Sequence, residues 1–144
     1  MSELEIRAIG RPAPQGSKRH VGNGRMVEMS KLLPAWRRDL ERACASAIRA
    51  WEHEHGVWLP LDGALRLEIT FLLDKPKRPM DNDYPIGPPD GSKLLRAAED
   101  CLVRASVVKD DARFVRWVVG KDWCRPGQRP GAVVRVRSLA EVLV

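Results

Sequence analysis

Residues 64–73 read Ala64-Leu-Arg-Leu-Glu-Ile-Thr-Phe-Leu-Leu73. Leu65, Leu67, Ile69 and Phe71 alternate with Arg66, Glu68 and Thr70, the period of two that turns one face of a strand to a core and the other to water. Residues 74–90 hold five prolines and several turn formers. They read as a long loop, and a loop of that length in a small domain is functional or disordered. From Gly91 to Ala105 the period changes: Leu94, Leu95, Ala98, Cys101 and Leu102 fall on one face of a helix. Phe114 to Val119 then reads as another strand.

Working outward, Leu4 to Ile9 alternates apolar and charged residues and is a further strand. The run from Gly10 to His20 is a loop shaped by Pro12, Pro14 and Gly16 and loaded with cations. Gly22-Asn23-Gly24 signals a turn, after which Arg25 to Glu28 is expected to return as a short strand. Ser30 suits a helix cap, with Pro34 in the first turn. Leu33, Trp36, Leu40, Ala43, Cys44, Ala47, Ile48 and Trp51 form the apolar stripe of that helix, which ends near Gly56. Arg37, Arg38, Arg42 and Arg49 lie largely off it, as on a solvated face. Beyond a turn at Pro126–Gly131, Ala132 to Val136 is the last strand. The order βα, βα, ββ predicts an α+β (mixed α/β) fold, a small mixed sheet packed with two main helices. At 144 residues, a single domain over 1–144 is expected.

Composition narrows the function. A net charge of +6 with a pI near 9.7 favours a polyanionic partner. No apolar run reaches the roughly 18–20 residues of a membrane span. The acidic opening Met1-Ser2-Glu3 does not read as a signal peptide, so a cytoplasmic location is the default expectation. Cys44, Cys101 and Cys124 form no CxxC pair, which argues against structural zinc or a disulfide scaffold.

The chemistry concentrates around the second helix. Asp90 stands where the long loop enters it, a position suited to capping its free N–H groups. Asp110-Asp111 follows its other end and, alone, reads as a turn. Asp100 is spaced to pair with Arg96 on the helix surface. A helix of about fourteen residues is ~21 Å long. Asp111 therefore reaches Asp90 only if the segment after Ala105 doubles back, for which Val107-Val108 would supply a return strand. Hard carboxylate oxygens gathered that way in a basic protein would hold Mg²⁺ while cations grip phosphate.

The run Pro89-Asp90-Gly91-Ser92-Lys93-Leu94-Leu95-Arg96-Ala97, then Asp100-Cys101-Leu102, then Asp110-Asp111-Ala112, resembles the pattern of the RusA-like Holliday-junction resolvases. Pro12-Ala13-Pro14-Gln15-Gly16-Ser17-Lys18-Arg19 is similar to the amino-terminal loop of phage and prophage members. The resemblance implies a homodimeric endodeoxyribonuclease that resolves four-way or other branched DNA with Mg²⁺ or Mn²⁺. It implies metal ligation by Asp90 and Asp111, and a role for Arg96 in stabilising charge on the scissile phosphate. Lys93, Lys18 and Arg19 would contact the DNA backbone, with His20 and Arg25 beside them. The chain departs from the pattern at Ser92, where the family carries an Asp. A hydroxyl is a far weaker Mg²⁺ ligand, so this chain is expected to bind metal weakly and cut slowly or not at all, unless Asp81, Asp83 or Asp110 substitutes.

No histidine reads as a general base; His53 and His55 end a helix, where cations suit the dipole. Trp58, Trp117 and Trp123 suit core or dimer interface better than base stacking. Two other readings stay open: a catalytically inactive dimer that binds branched DNA, and a basic protein-interaction module with an accidental cluster of aspartates.

Overall fold

The computed structural model describes residues 3–16, 24–76 and 83–139, with the side chains of 24–30 excepted. In chain order the elements are β1 (Glu3–Ile9), α1 (Gly24–His55), β2 (Leu65–Leu73), α2 (Gly91–Arg104), a 3-10 turn (Asp111–Arg113), β3 (Phe114–Trp123) and β4 (Gly131–Ser138). The strands form one mixed sheet in the order β1-β4-β2-β3. β4 runs antiparallel to both β1 and β2, whereas β3 runs parallel to β2. The fold is α+β, with the alternation expected of β1 and β2.

That alternation builds the core. Leu65, Leu67, Ile69, Phe71 and Leu73 of β2 are buried, as are Leu4, Ile6 and Ala8 of β1 and Ala132, Val134 and Val136 of β4. All but Leu73 meet Trp36, Leu40 and Cys44 of α1 and Leu94, Ala98, Cys101 and Leu102 of α2 in one cluster. Each fully buried Leu, Ile or Phe contributes about 1.5–3 kcal/mol. The opposite face of the sheet is charged, with Arg135 bonded to Glu5 at 3.0 Å and Arg66 to Glu68 at 3.0 Å.

Two sequence expectations give way here. The segment 25–28 is helix, not strand, and neither Ser30 nor Pro34 marks a helix start, because α1 begins at Gly24 and carries Pro34 inside it. Between Gly24 and Pro34 no residue stops a helix. The proline forfeits a single i→i−4 hydrogen bond, which a long helix anchored beyond it by Trp36, Leu40 and Cys44 tolerates. Val107 and Val108 are buried but form no return strand along α2. Val108 makes an isolated parallel bridge to Leu61, closed by Leu61 N–H to Val107 O and Lys109 N–H to Leu61 O, both 2.9 Å.

Candidate metal and nucleic-acid site

The β2–α2–β3 crossover dictates where the acidic residues stand. Because β2 and β3 are parallel, α2 must carry the chain back from the C-terminal end of β2 to the N-terminal end of β3. Asp90 and Asp111 therefore sit at opposite ends of the unit.

At the first end, Asp90 occupies the N-cap position of α2 with extended backbone, yet its side chain makes no capping hydrogen bond. It pairs instead with Lys93 one turn on, Nζ to Oδ2 at 3.7 Å. Ser92 and Arg96 are exposed nearby. The preceding loop is held from the sheet: Lys121 Nζ of β3 donates to Gly87 O and Pro89 O, each at 3.0 Å. The amino-terminal loop docks beside it, Gln15 N–H donating to Lys93 O at 3.1 Å while Gln15 Oε1 accepts from Arg37 at 3.3 Å. A cavity of about 340 Å³ opens next to these loops, lined by Arg11, Asp74, Trp123 and the prolines 12, 88 and 89 among others. Asp83 lies at this end too, in a second recess with Asp74 and Arg125.

At the other end, Asp100, Arg104, Lys109, Asp110 and Asp111 line a common recess. Asp110 caps the 3-10 turn, accepting from Ala112 N–H at 2.9 Å, and that bond holds its carboxyl below the usual range. Asp111 is pushed up, first by the hydrogen bond it shares with the Asp110 carboxyl, then by burial and the charges of Asp110 and Asp100. Like charges held this close favour sharing a proton or a cation. Glu99 joins them: burial raises its carboxyl most, with Asp111 and Asp100 adding, while the Trp117 indole donates to it at 3.0 Å. Asp100 is no partner of Arg96; no such ion pair forms among the described residues, and Asp100 turns to this recess instead.

The expected single-chain pocket is thus not formed. The 14 residues of α2 span about 21 Å. Independently, the seven residue steps from Phe114 to Lys121 on β3 span about 23 Å. Magnesium ligands lie about 2.0–2.1 Å from the ion. Asp90 and Asp111 of one protomer, roughly 20 Å apart along α2, are several times too far apart to share one, because the segment after Ala105 pairs with Leu61 rather than folding back. Among the described residues no three His, Cys, Asp or Glu side chains converge on a metal position.

Lys18, Arg19, His20 and Asp81 lie outside the described residues, and Arg25 is placed only by its backbone in the first turn of α1. Trp58 is core, its indole donating to Ser106 O at 3.0 Å, and His55 stacks on Trp51. Cys44 and Cys101 are buried, which pushes their thiols up to about 12 and about 11. Among the described residues no helix is long and apolar enough to cross a membrane. Glu99 and Lys121 were not singled out by sequence; the signal for Lys121 was its place on the β3 face shared with Trp117, Val119 and Trp123, given by register with Phe71. No family model and no curated protein matches the chain.

Proposed function

We propose that the protein is a divalent-metal-dependent endonuclease for branched DNA that works as a two-fold dimer with composite sites. The observation that carries this reading is Asp90: a carboxylate at a helix N-cap, exposed and uncommitted to capping, flanked by Lys93 and Arg96. It makes none of the amide bonds by which a carboxylate there ordinarily caps a helix. It fits a hard cation, and so does the Asp110–Asp111 pair.

The partner acid comes from a second copy. β3 is an edge strand whose Val115, Trp117 and Val118 are 43%, 49% and 49% exposed, an apolar edge that soluble proteins ordinarily cover. Antiparallel pairing of β3 with its copy, about a two-fold near Trp117, sets Arg113 opposite the partner's Lys121. Lys121 holds the loop that ends in Asp90. Asp111 of one protomer and the partner's Asp90 are thereby brought to the same end of the joined sheet, and the symmetry does so twice. Two equivalent sites suit a four-way junction, which requires paired nicks.

In that arrangement Asp90, Asp111 and Asp110 would hold Mg²⁺ or Mn²⁺, which supplies Lewis-acid polarisation of a phosphodiester. Lys93 neutralises and orients the phosphate. Arg96, one turn further along α2 and exposed, stabilises charge developing on its oxygens. The surplus of cations, +6 overall, provides backbone affinity without sequence preference. Ser92 favours a second reading, a branch-specific binding dimer without cleavage, since it supplies a neutral hydroxyl beside Asp90.

The test is one assay of binding and nicking on four-way junction, flap and linear duplex, in Mg²⁺, Mn²⁺ or chelator. Metal-dependent nicking of branched DNA supports the nuclease, and branch-selective binding without nicking supports the second reading. Neither activity on any substrate overturns both.

A further inference from the structure

The loop that delivers Asp90 has an unusual backbone problem. Pro88 and Pro89 carry no N–H, so Gly87-Pro88-Pro89 offers three carbonyls and a single donor, and cannot hold itself by local hydrogen bonds. An outside donor must hold it, and one group that reaches two carbonyls at once must carry several hydrogens. The Lys121 ammonium does this, bonding Gly87 O and Pro89 O at 3.0 Å each from the helix-facing side of β3. Pro89 itself is buried, whereas Asp90, the next residue, is exposed. The peptide unit of Pro89 is thus held on one side by packing and on the other by a charge-assisted bond, immediately before the carboxylate.

We infer that Lys121 is a positioning residue: it clamps the proline loop to the edge strand and so sets where Asp90 stands at the start of α2. The consequence for a metal rests on the nuclease reading above; the clamp itself does not. Lys121 also lies on the strand proposed to pair with the second copy, so one side chain links the dimer edge to the acid it must deliver. A methionine of similar length keeps the packing and loses both bonds. An arginine keeps donors that reach the same carbonyls.

Two measurements on wild type, Lys121→Met and Lys121→Arg decide it. The first is amide hydrogen exchange at Lys93 and Leu94, both of which donate to Asp90 O, against Val134 in the central sheet as reference. Loss of the clamp should speed exchange at Lys93 and Leu94 about tenfold, leave Val134 unchanged, and be largely reversed by arginine. The second is Mn²⁺ binding followed by electron paramagnetic resonance without DNA, whose half-saturation should rise several-fold in Lys121→Met. Unchanged exchange at Lys93 and Leu94 overturns the clamp, and faster exchange with unaltered Mn²⁺ affinity overturns the link to Asp90. Wild type that binds no Mn²⁺, with exchange still altered in Lys121→Met, sinks the nuclease reading and supports the clamp.

Discussion

A composite site makes an unusual demand on mixed dimers. Asp90→Asn and Asp111→Asn, each placed in a Ser92→Asp chain to restore a full set of carboxylates, should be inactive as homodimers, because every site then lacks one acid. Removing groups that merely orient metal ligands already costs about 10–100-fold, so loss of a ligand should cost at least about a hundredfold. In a dimer of one chain of each kind, both lesions fall in one site and the other is intact. Purified through two different affinity tags, the mixed dimer should therefore nick a labelled four-way junction at about half the rate of the Ser92→Asp dimer. Its product should be singly nicked junction rather than resolved duplexes. The basis is the separation of roughly 20 Å between the two acids along α2, which no side-chain rotation spans. Mixed dimers as inactive as either parent, with the Ser92→Asp dimer active, would refute the composite site and return both acids to one chain.

Other expectations follow from the same geometry. Ser92→Asp alone should raise Mg²⁺-dependent cleavage of branched DNA by about tenfold or more, read as product formed against metal concentration; no gain shows that Ser92 does not limit the site. Glu99→Gln should alter the pH dependence of stability. Burial first, then Asp111 and Asp100, hold the folded carboxyl above its ordinary 4.5, so wild type loses stability as pH rises through that raised value. The variant should match wild type near pH 3.5 and melt a few degrees higher near pH 7, the Trp117 bond being retained by the glutamine oxygen; a constant difference across that range contradicts the assignment. Gly131→Ala should lower the melting temperature by roughly 5–10 °C, because a Cβ there collides with the backbone carbonyl of Ala8 across the β1–β4 ladder. An unchanged melting curve would mean that the two strands separate locally at no cost.

The expectations that failed within the fold concerned the course of the backbone. Ser30 and Pro34 are good helix starters as residue types, and nothing local distinguishes a proline at a first turn from one a long helix absorbs. The fate of Val107-Val108 was similarly hidden, since two buried valines suit a return strand and an isolated bridge alike; Leu61, more than forty residues away, decided between them. Asp90 looked most like a cap and in the fold does not cap, its carboxylate being drawn to Lys93.

Side-chain periodicity alone determined the faces that β2 and α2 bury: the period of two over Leu65–Leu73 and the helical stripe from Leu94 to Leu102 each select one apolar side whatever the rest of the chain does. The local motif likewise determined which residue types cluster around α2. What the motif could not contain was the direction of travel between β2 and β3. Parallel pairing is a choice made by strands distant in sequence, and it sends Asp90 and Asp111 to opposite ends of the sheet. It also leaves β3 as an apolar edge and puts Lys121 against the proline loop. These are relations across space, and only the packed tertiary structure decides them.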